Sequence, residues 1–298
     1  MAQLDTRLLG QLCVRPHAHP HHHQLRTTSH FLKSGPKNFA DRRTCDVIGF
    51  VKPVRLIKQI AQSLIFPQPC VLCAGRALNP DCSPLCQACL QSLQPLGGRI
   101  CHRCGVPVPG NLLELFATCG RCRSEATPFD FARAWGNYEG DLRRIIHRFK
   151  FGGYRRLAGP LGALLEVCYR RGATGLQGDW IIPVPSHRKR SRERGFDHTL
   201  LLGQSLSRRL KIPLFRGLAR NRNTAPQFGL DRKDRRRNVR GAFSLRETAA
   251  LSKKTALLVD DVMTTGTTVG EISSLLRQQS ELEQIMVLVV ARTPLLRG

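Results

Sequence analysis

The sequence predicts an α/β domain with a mostly parallel sheet flanked by helices, preceded by a small cysteine-ligated module. Two observations carry this. After Pro128, short apolar runs of strand length alternate with amphipathic runs of helix length, the pattern of a parallel sheet covered on both faces. Before it, eight of the 12 cysteines form four C-x-x-C pairs between Cys70 and Cys122. A chain of 298 residues has room for one sizeable core and a smaller module.

The elements follow in order. Residues 1–53 read as a variable, disordered tail. Its His17-Ala18-His19-Pro20-His21-His22-His23 run is low-complexity and broken by proline. Residues 54–67 place Val54, Ile57, Ala61, Leu64 and Ile65 on one face of a short helix that Pro67 stops. Residues 68–125 hold the paired cysteines; Gly and Pro are frequent there and apolar periodicity is weak. Such a module needs metal ligation to supply its folding energy.

The α/β domain spans residues 130–298. It opens with a strand over 130–138. A helix follows Gly140-Asp141, marked by Leu142, Ile145, Ile146 and Phe149, and a second runs over 156–169. A short buried strand starts at Trp180 and runs into a loop at Pro185. A helix covers 197–210, and residues 220–241 are too charged for core. Ala256–Val259 is a buried strand, 269–279 a helix and 285–291 a final strand. No secretory signal and no run of about 18 apolar residues is visible, so a cytoplasmic protein without a membrane span is expected.

The sharpest motif is LLVDDVMTTGTT, residues 257–268. An apolar strand ends in Asp260 and Asp261, then Thr264, Thr265, Gly266, Thr267 and Thr268 lead into a helix. Ligands of open α/β sheets bind beyond the carboxyl ends of strands. Hydroxyls and backbone N–H groups at a helix N-terminus suit a phosphate monoester, and Gly266 lets the backbone approach it. The two acids suit ribose hydroxyls or a magnesium ion beside that phosphate. The Gly-Lys-Ser/Thr of a Walker A loop is absent, and so is the Gly-x-Gly-x-x-Gly of a dinucleotide site.

Each C-x-x-C turn presents two thiolates, so two turns complete one tetrahedral site and eight ligands hold two structural zinc ions. Sequential pairing groups Cys70, Cys73, Cys86 and Cys89, then Cys101, Cys104, Cys119 and Cys122; spacing equally allows a cross-braced pairing. The sequential grouping is preferred because each half repeats one knuckle plan. Cys82 is a competing ligand, and an iron–sulfur cluster or redox chemistry at one pair are the alternatives.

Charge bears on partners. Lys plus Arg number 47 and Asp plus Glu 21, a formal charge of +26. Residues 186–240 alone hold 17 of the cations against 4 acids. That exceeds what one small anion needs and points to a nucleic-acid backbone. Few aromatics interleave with these charges, Phe196 and Phe228 among them, so a base-stacking platform is not expected from them. Lys150 reads as a helix-end cation or a phosphate contact.

At these residues the chain resembles type I phosphoribosyltransferases. More specifically it is similar to the ComF family of competence-related proteins, through YEGDLRRIIHRFKFGG (138–153), IIPVPSHRKRSRERGFDHT (181–199), TAPQFGLDRKDRRRNVRGAF (224–243) and VARTP (290–294). The resemblance implies a phosphoribosyltransferase-like fold behind a double zinc ribbon, in folds that often pair as dimers. It implies binding of 5-phosphoribosyl-1-pyrophosphate with Mg2+. Asp260 and Asp261 would then hold the ribose hydroxyls, Thr264–Thr268 the 5′ phosphate, and Ser186, His187 and Arg188 the pyrophosphate. Residues 222–240 would be a closing hood, with Asp260, Asp261 and Arg188 as catalytic groups. One departure stands out: Asp197-His198 replaces the family's Asn-Gln, which puts base recognition there in doubt. Two functions follow: phosphoribosyl transfer to a nitrogenous base, or a competence factor that binds single-stranded DNA or other competence proteins without turnover.

Overall fold

The computed structural model describes residues 69–77, 83–109, 117–172, 175–222 and 232–294. The tail 1–53, the helix 54–67 and Cys82 lie outside them.

The sheet forms because its strands are apolar on both sides. β1 (Phe131–Asn137), β2 (Trp180–Pro183), β5 (Thr255–Met263) and β6 (Gln284–Arg292) make one parallel sheet in the order β1-β6-β5-β2. β-Branched and aliphatic residues fill it, and their side chains alternate between two cores. Leu257, Val259, Met286, Leu288 and Val290 face one side, against Leu142, Ile145, Ile146 and Phe149 of α3 (Gly140–Phe151). Leu161, Leu164 and Leu165 of α4 (Ala158–Gly172) and Leu202 and Leu206 of α6 (His198–Leu210) complete that layer. Ala256, Leu258, Ile285, Val287 and Val289 face the other side, against Val269, Ile272 and Leu276 of α8 (Thr267–Gln279). Burial on both faces is why these strands read as continuous apolar runs rather than alternating ones.

Short β3 (Leu218–Arg220) and β4 (Phe243–Leu245) pair antiparallel and flank α7 (Arg232–Val239). This corrects the expectation that 220–241 contributes nothing to the core. Val239 is wholly buried, and Ala242 and Phe243 join it in the second core. Among the described residues of that charged segment, Val239 is an inward-facing apolar position.

The cysteine module is joined to the sheet by core contacts. α1 (Gln87–Gln91) and α2 (Gly120–Ser124) each start just after a cysteine. The Trp135 indole N–H donates to the Leu93 carbonyl at 2.9 Å, the Leu96 amide to the Trp135 carbonyl at 2.6 Å, and the Ala132 amide to the Arg103 carbonyl at 2.7 Å. Val71, Leu72, Leu85 and Leu93 pack into the same core as α3. Among the described residues no helix is long and apolar enough to cross a membrane.

α4 crosses α6 at Gly162. A Cβ there would lie 2.6 Å from the Ser205 Cβ and closer still to its hydroxyl. Gly162→Ala should therefore lower stability by about 1–3 kcal/mol, although alanine favours helix by about 1 kcal/mol. Adding Ser205→Gly should restore part of the loss. Urea denaturation measures both, and a stabilised single variant would contradict this close approach.

Candidate functional site

The site grows from the pairing of β2 with β5. Pro183 sits opposite Val259, and the Val184 amide donates to the Val259 carbonyl at 2.8 Å. The strands are parallel, so the chains leaving their carboxyl ends emerge side by side. After β2 come Ser186, His187 and Arg188; after β5 come Thr264–Thr268. These sequence-distant segments therefore share one edge of the sheet.

β5 extends to Met263, past the expected end at Val259. Both acids lie inside the strand, and alternation sends them apart. Asp261 is 3% exposed, while Asp260 keeps part of its surface accessible. Asp261 Oδ2 sits 2.7 Å from Lys150 Nζ of α3 and 2.7 Å from His198 Nε2 of α6. Burial alone would raise the Asp261 pKa; the Lys150 ammonium and His198 outweigh it and hold the carboxyl far below its usual range. Burial likewise works against Lys150, and Asp261 overrides it and raises the ammonium. Asp260 goes the other way: desolvation first, then the Asp261 charge, pushes it well above the carboxylate norm. One acid is fixed as an anion and its neighbour is held toward the neutral form.

Lys150 stands in the last turn of α3, as expected of a helix-end cation. It is the counter-ion of Asp261. Asp197 and His198 also gain roles that spacing concealed. Asp197 Oδ1 caps α6, accepting from the amides of Thr199 (3.1 Å) and Leu200 (3.2 Å). Its Oδ2 accepts from the Ser186 amide at 3.3 Å. His198 Nδ1 lies 3.0 Å from Arg194 NH1 and 3.4 Å from Ser186 Oγ. The imidazole thus joins the segment after β2 to the carboxylate in β5. With a carboxylate at Nε2, the geometry requires a ring hydrogen on Nε2.

The segment expected as a loop at Arg188 starts a helix, α5 (Arg188–Arg194). His187 explains it: its Nδ1 accepts from the Lys189 amide at 3.2 Å. Arg188, Lys189 and Arg192 stand exposed along this helix. Gly195 ends it at φ +73, a left-handed C-cap.

The threonine turn leads from β5 into α8. Gly266 takes φ +78 and accepts the first bond of α8, from the Gly270 amide at 2.8 Å. Thr265 Oγ1 and Thr267 Oγ1 lie 2.7 Å apart. Arg121 of the fourth C-x-x-C turn, in the second cluster, donates to the Thr265 carbonyl at 2.7 Å. This contact spans 144 residues, and sequence reading gave no sign of it.

The cysteines gather in the sequential grouping. The sulfurs of Cys70, Cys73, Cys86 and Cys89 all lie within 4.8 Å of one another, and so do those of Cys101, Cys104, Cys119 and Cys122. The Cys73–Cys86 and Cys104–Cys119 sulfurs are 3.6 and 3.7 Å apart. A tetrahedral ion with Zn–S of about 2.3 Å places its sulfurs about 3.8 Å apart, so both clusters fit zinc, and four sulfurs leave no open position. Burial would raise Cys70 and Cys101; backbone N–H groups of the turns reverse that and bring them to about 6 and about 7. Burial and neighbouring thiols push Cys89 and Cys122 up, the repulsion a cation relieves. Arg292, 1% exposed, donates to the Cys104 carbonyl at 2.6 Å, and its charge faces the second cluster.

Asp261 and Asp260 should respond oppositely to neutralisation. Asp261→Asn leaves a buried ammonium unpaired and should cost about 3–5 kcal/mol at neutral pH. Asp260→Asn should leave stability unchanged or raise it. The depressed Asp261 pKa gives stability that is complete above the ordinary value of 3.8 and lost as pH falls below it. The raised Lys150 pKa gives stability complete below 10.5 and lost as pH rises through its folded value. Urea titrations across pH should show the wild type and Asp261→Asn converging in acid; a constant gap would refute the pairing.

Comparison with known proteins places this geometry. The double zinc ribbon domain family matches residues 61–126. Competence protein F of Haemophilus influenzae is 35% identical over 233 residues, covering 75% of this chain and 96% of that protein. The DNA utilization protein YhgH of Escherichia coli K12 is 35% identical over 196 residues, covering 64% of this chain and 83% of that one. Competence protein ComFC of Bacillus subtilis is 25% identical over 197 residues, covering 64% and 76%. Among solved structures, the allosteric regulatory enzyme of purine biosynthesis aligns over 48% of this chain and 30% of its own. Its TM-score of 0.33 and 18% identity are too slight to carry an argument. Similarity of this degree over nearly all of competence protein F shows that the chain belongs to the ComF family of competence proteins, with a double zinc ribbon ahead of its α/β domain.

Proposed function

We propose that this protein handles single-stranded DNA in competence or DNA utilisation, without needing turnover. The observation that carries this is the exposed cationic helix α5 beside the threonine turn, in a chain akin to competence protein F and a DNA utilization protein. Arg188, Lys189 and Arg192 project outward with no acid in the first turn of α5. Single-stranded backbones bind such surfaces by releasing counterions, which gives a steep salt dependence. Binding to oligo(dT), followed by anisotropy over a salt series, should therefore weaken linearly in log–log form. The triple variant Arg188→Ala, Lys189→Ala, Arg192→Ala should flatten that slope by about 0.7 per lost phosphate contact. An unchanged slope would remove α5 from the interface.

A second reading has its own support. Gly266 at φ +78, the paired Thr265 and Thr267 hydroxyls and the start of α8 form an anion cradle next to Asp260. This suits 5-phosphoribosyl-1-pyrophosphate held with Mg2+. The phosphate would sit at Thr264–Thr268 and the ribose hydroxyls on Asp260, with Ser186, His187 and Arg188 near the pyrophosphate. Asp261 supports this site from behind rather than touching the sugar, since Lys150 and His198 already occupy its carboxylate. Calorimetric titration should give a magnesium-dependent heat that Asp260→Asn removes. A chain that takes up no such ligand with or without magnesium would leave the DNA-binding reading alone.

A further inference from the structure

Single exposed apolar side chains need no explanation, but adjoining ones in a polar surround mark an interaction surface. Among the described residues the large exposed ones are Phe151, 60% exposed, and Tyr154, 41% exposed. They are neighbours, at the end of α3 and just beyond it. Both carry guanidinium partners. Arg194 of α5 lies 4.9 Å from the Phe151 ring centroid, and Arg148 lies 6.0 Å from that of Tyr154. Arg155 stands 5.0 Å from the half-buried Phe196 ring, and the His147 ring is 4.9 Å from Phe151. Aromatic faces and cations thus alternate across one surface built from 147–156 and 194–196. The expectation that aromatics are sparse among the charges is corrected here. Phe151 and Tyr154 lie some 40 residues before the basic run, and only folding brings them to it; Phe228 lies outside the described residues.

The platform is held in shape. Gly153 turns at φ +73, and a Cβ on Gly152 would lie 2.9 Å from the Tyr154 ring. The ring therefore rests on bare backbone, and Arg155 is anchored by donating to the Gly195 carbonyl. Beside Tyr154 opens a cleft of about 720 Å³. One wall is the first cysteine turn, from Pro69 to Ala74; the other carries Arg148, Tyr154, Arg155 and Arg156. A filled first cluster has a net charge of about −2. Three guanidiniums on the facing wall exceed it, and Arg194 adds to them, so the surface is cationic.

We propose that this face stacks the unpaired bases of a single-stranded nucleic acid, with Phe151 and Tyr154 as platforms and the adjoining arginines on its phosphates. The inference rests on the DNA-binding reading above and names the surface that tells single strands from duplex. Every base has a π-face that an exposed ring takes without regard to sequence. A duplex keeps those faces inside its own stack and offers the same surface phosphates alone. The cleft volume falls within the range of about 300–1,000 Å³ that suits a small molecule, so it admits a nucleotide unit.

The test compares oligo(dT), an abasic strand of equal length and a duplex, by anisotropy, for the full chain and for Phe151→Ala, Tyr154→Ala and Tyr154→Trp. Both alanine variants should fold normally by circular dichroism, since the side chains are exposed. Each should weaken oligo(dT) binding by about 5- to 150-fold, the loss of one stacked base. The abasic strand should lose far less, because its phosphates are intact. Tyr154→Trp should keep the affinity and show indole fluorescence quenched by oligo(dT). Alanine variants that bind oligo(dT) like the wild type would overturn the platform while leaving the DNA-binding reading in place. Equal losses on oligo(dT) and the abasic strand would also overturn it. A wild-type chain that binds no single strand at all would overturn both.

Discussion

A carboxylate buried in the middle of a parallel sheet has to be compensated, and Asp261 organises its surroundings accordingly. Lys150 reaches it from α3 and His198 from α6, each at 2.7 Å. Those helices pack on the same face of the sheet, so one charge fixes the orientation of both. His198 passes the constraint on, since its other nitrogen lies beside Ser186 and Arg194. The basic helix α5 and the segment before it are thereby tied to β5. Removing either partner exposes the usual cost of a buried ion pair, far larger than that of a surface pair. Burial and then the same charge raise Asp260, which holds the more accessible acid toward its protonated form.

The cysteine module depends on the domain behind it as much as on its ions. Its apolar residues are too few to bury a core alone. Trp135 closes on Leu93, Arg292 lies under the second cluster, and Leu85, Leu90 and Leu93 join the core shared with α3. Arg121 then carries the second cluster's position to the threonine turn through one hydrogen bond. The cysteine clusters, sheet packing and the threonine turn are consecutive links of one structure.

Much of this was legible in the residues. Periodicity found the four main strands and the long helices, because burial on both faces leaves an unbroken apolar run and one-sided burial leaves a stripe. Repeated knuckles found the eight cysteines and their grouping, since a C-x-x-C turn is local chemistry. The turn at Thr264–Thr268 and the helix after it were readable because a glycine turn into a helix start is written in consecutive residues. What escaped was long-range. Asp261 pairs with residues 111 and 63 positions earlier, and no spacing rule joins Lys150, His198 and Asp261. The aromatic platform escaped for the same reason. Helix α5 was read as loop because its sequence RKRSRER carries no apolar stripe, although His187 could be read as a helix cap. The role of Val239 was hidden by the charges around it.

The two cysteine clusters differ in their access to water, and this has a consequence for how the protein ages. Cys73 is exposed, whereas Cys101, Cys104, Cys119 and Cys122 are all buried. Peroxide or a chelator meets the first cluster long before the second, because thiol attack follows exposure. Early damage therefore loosens the wall of the cleft beside Tyr154 and spares the turn that Arg121 steadies. Injury would be graded, with the first cluster and the wall it forms failing before the second.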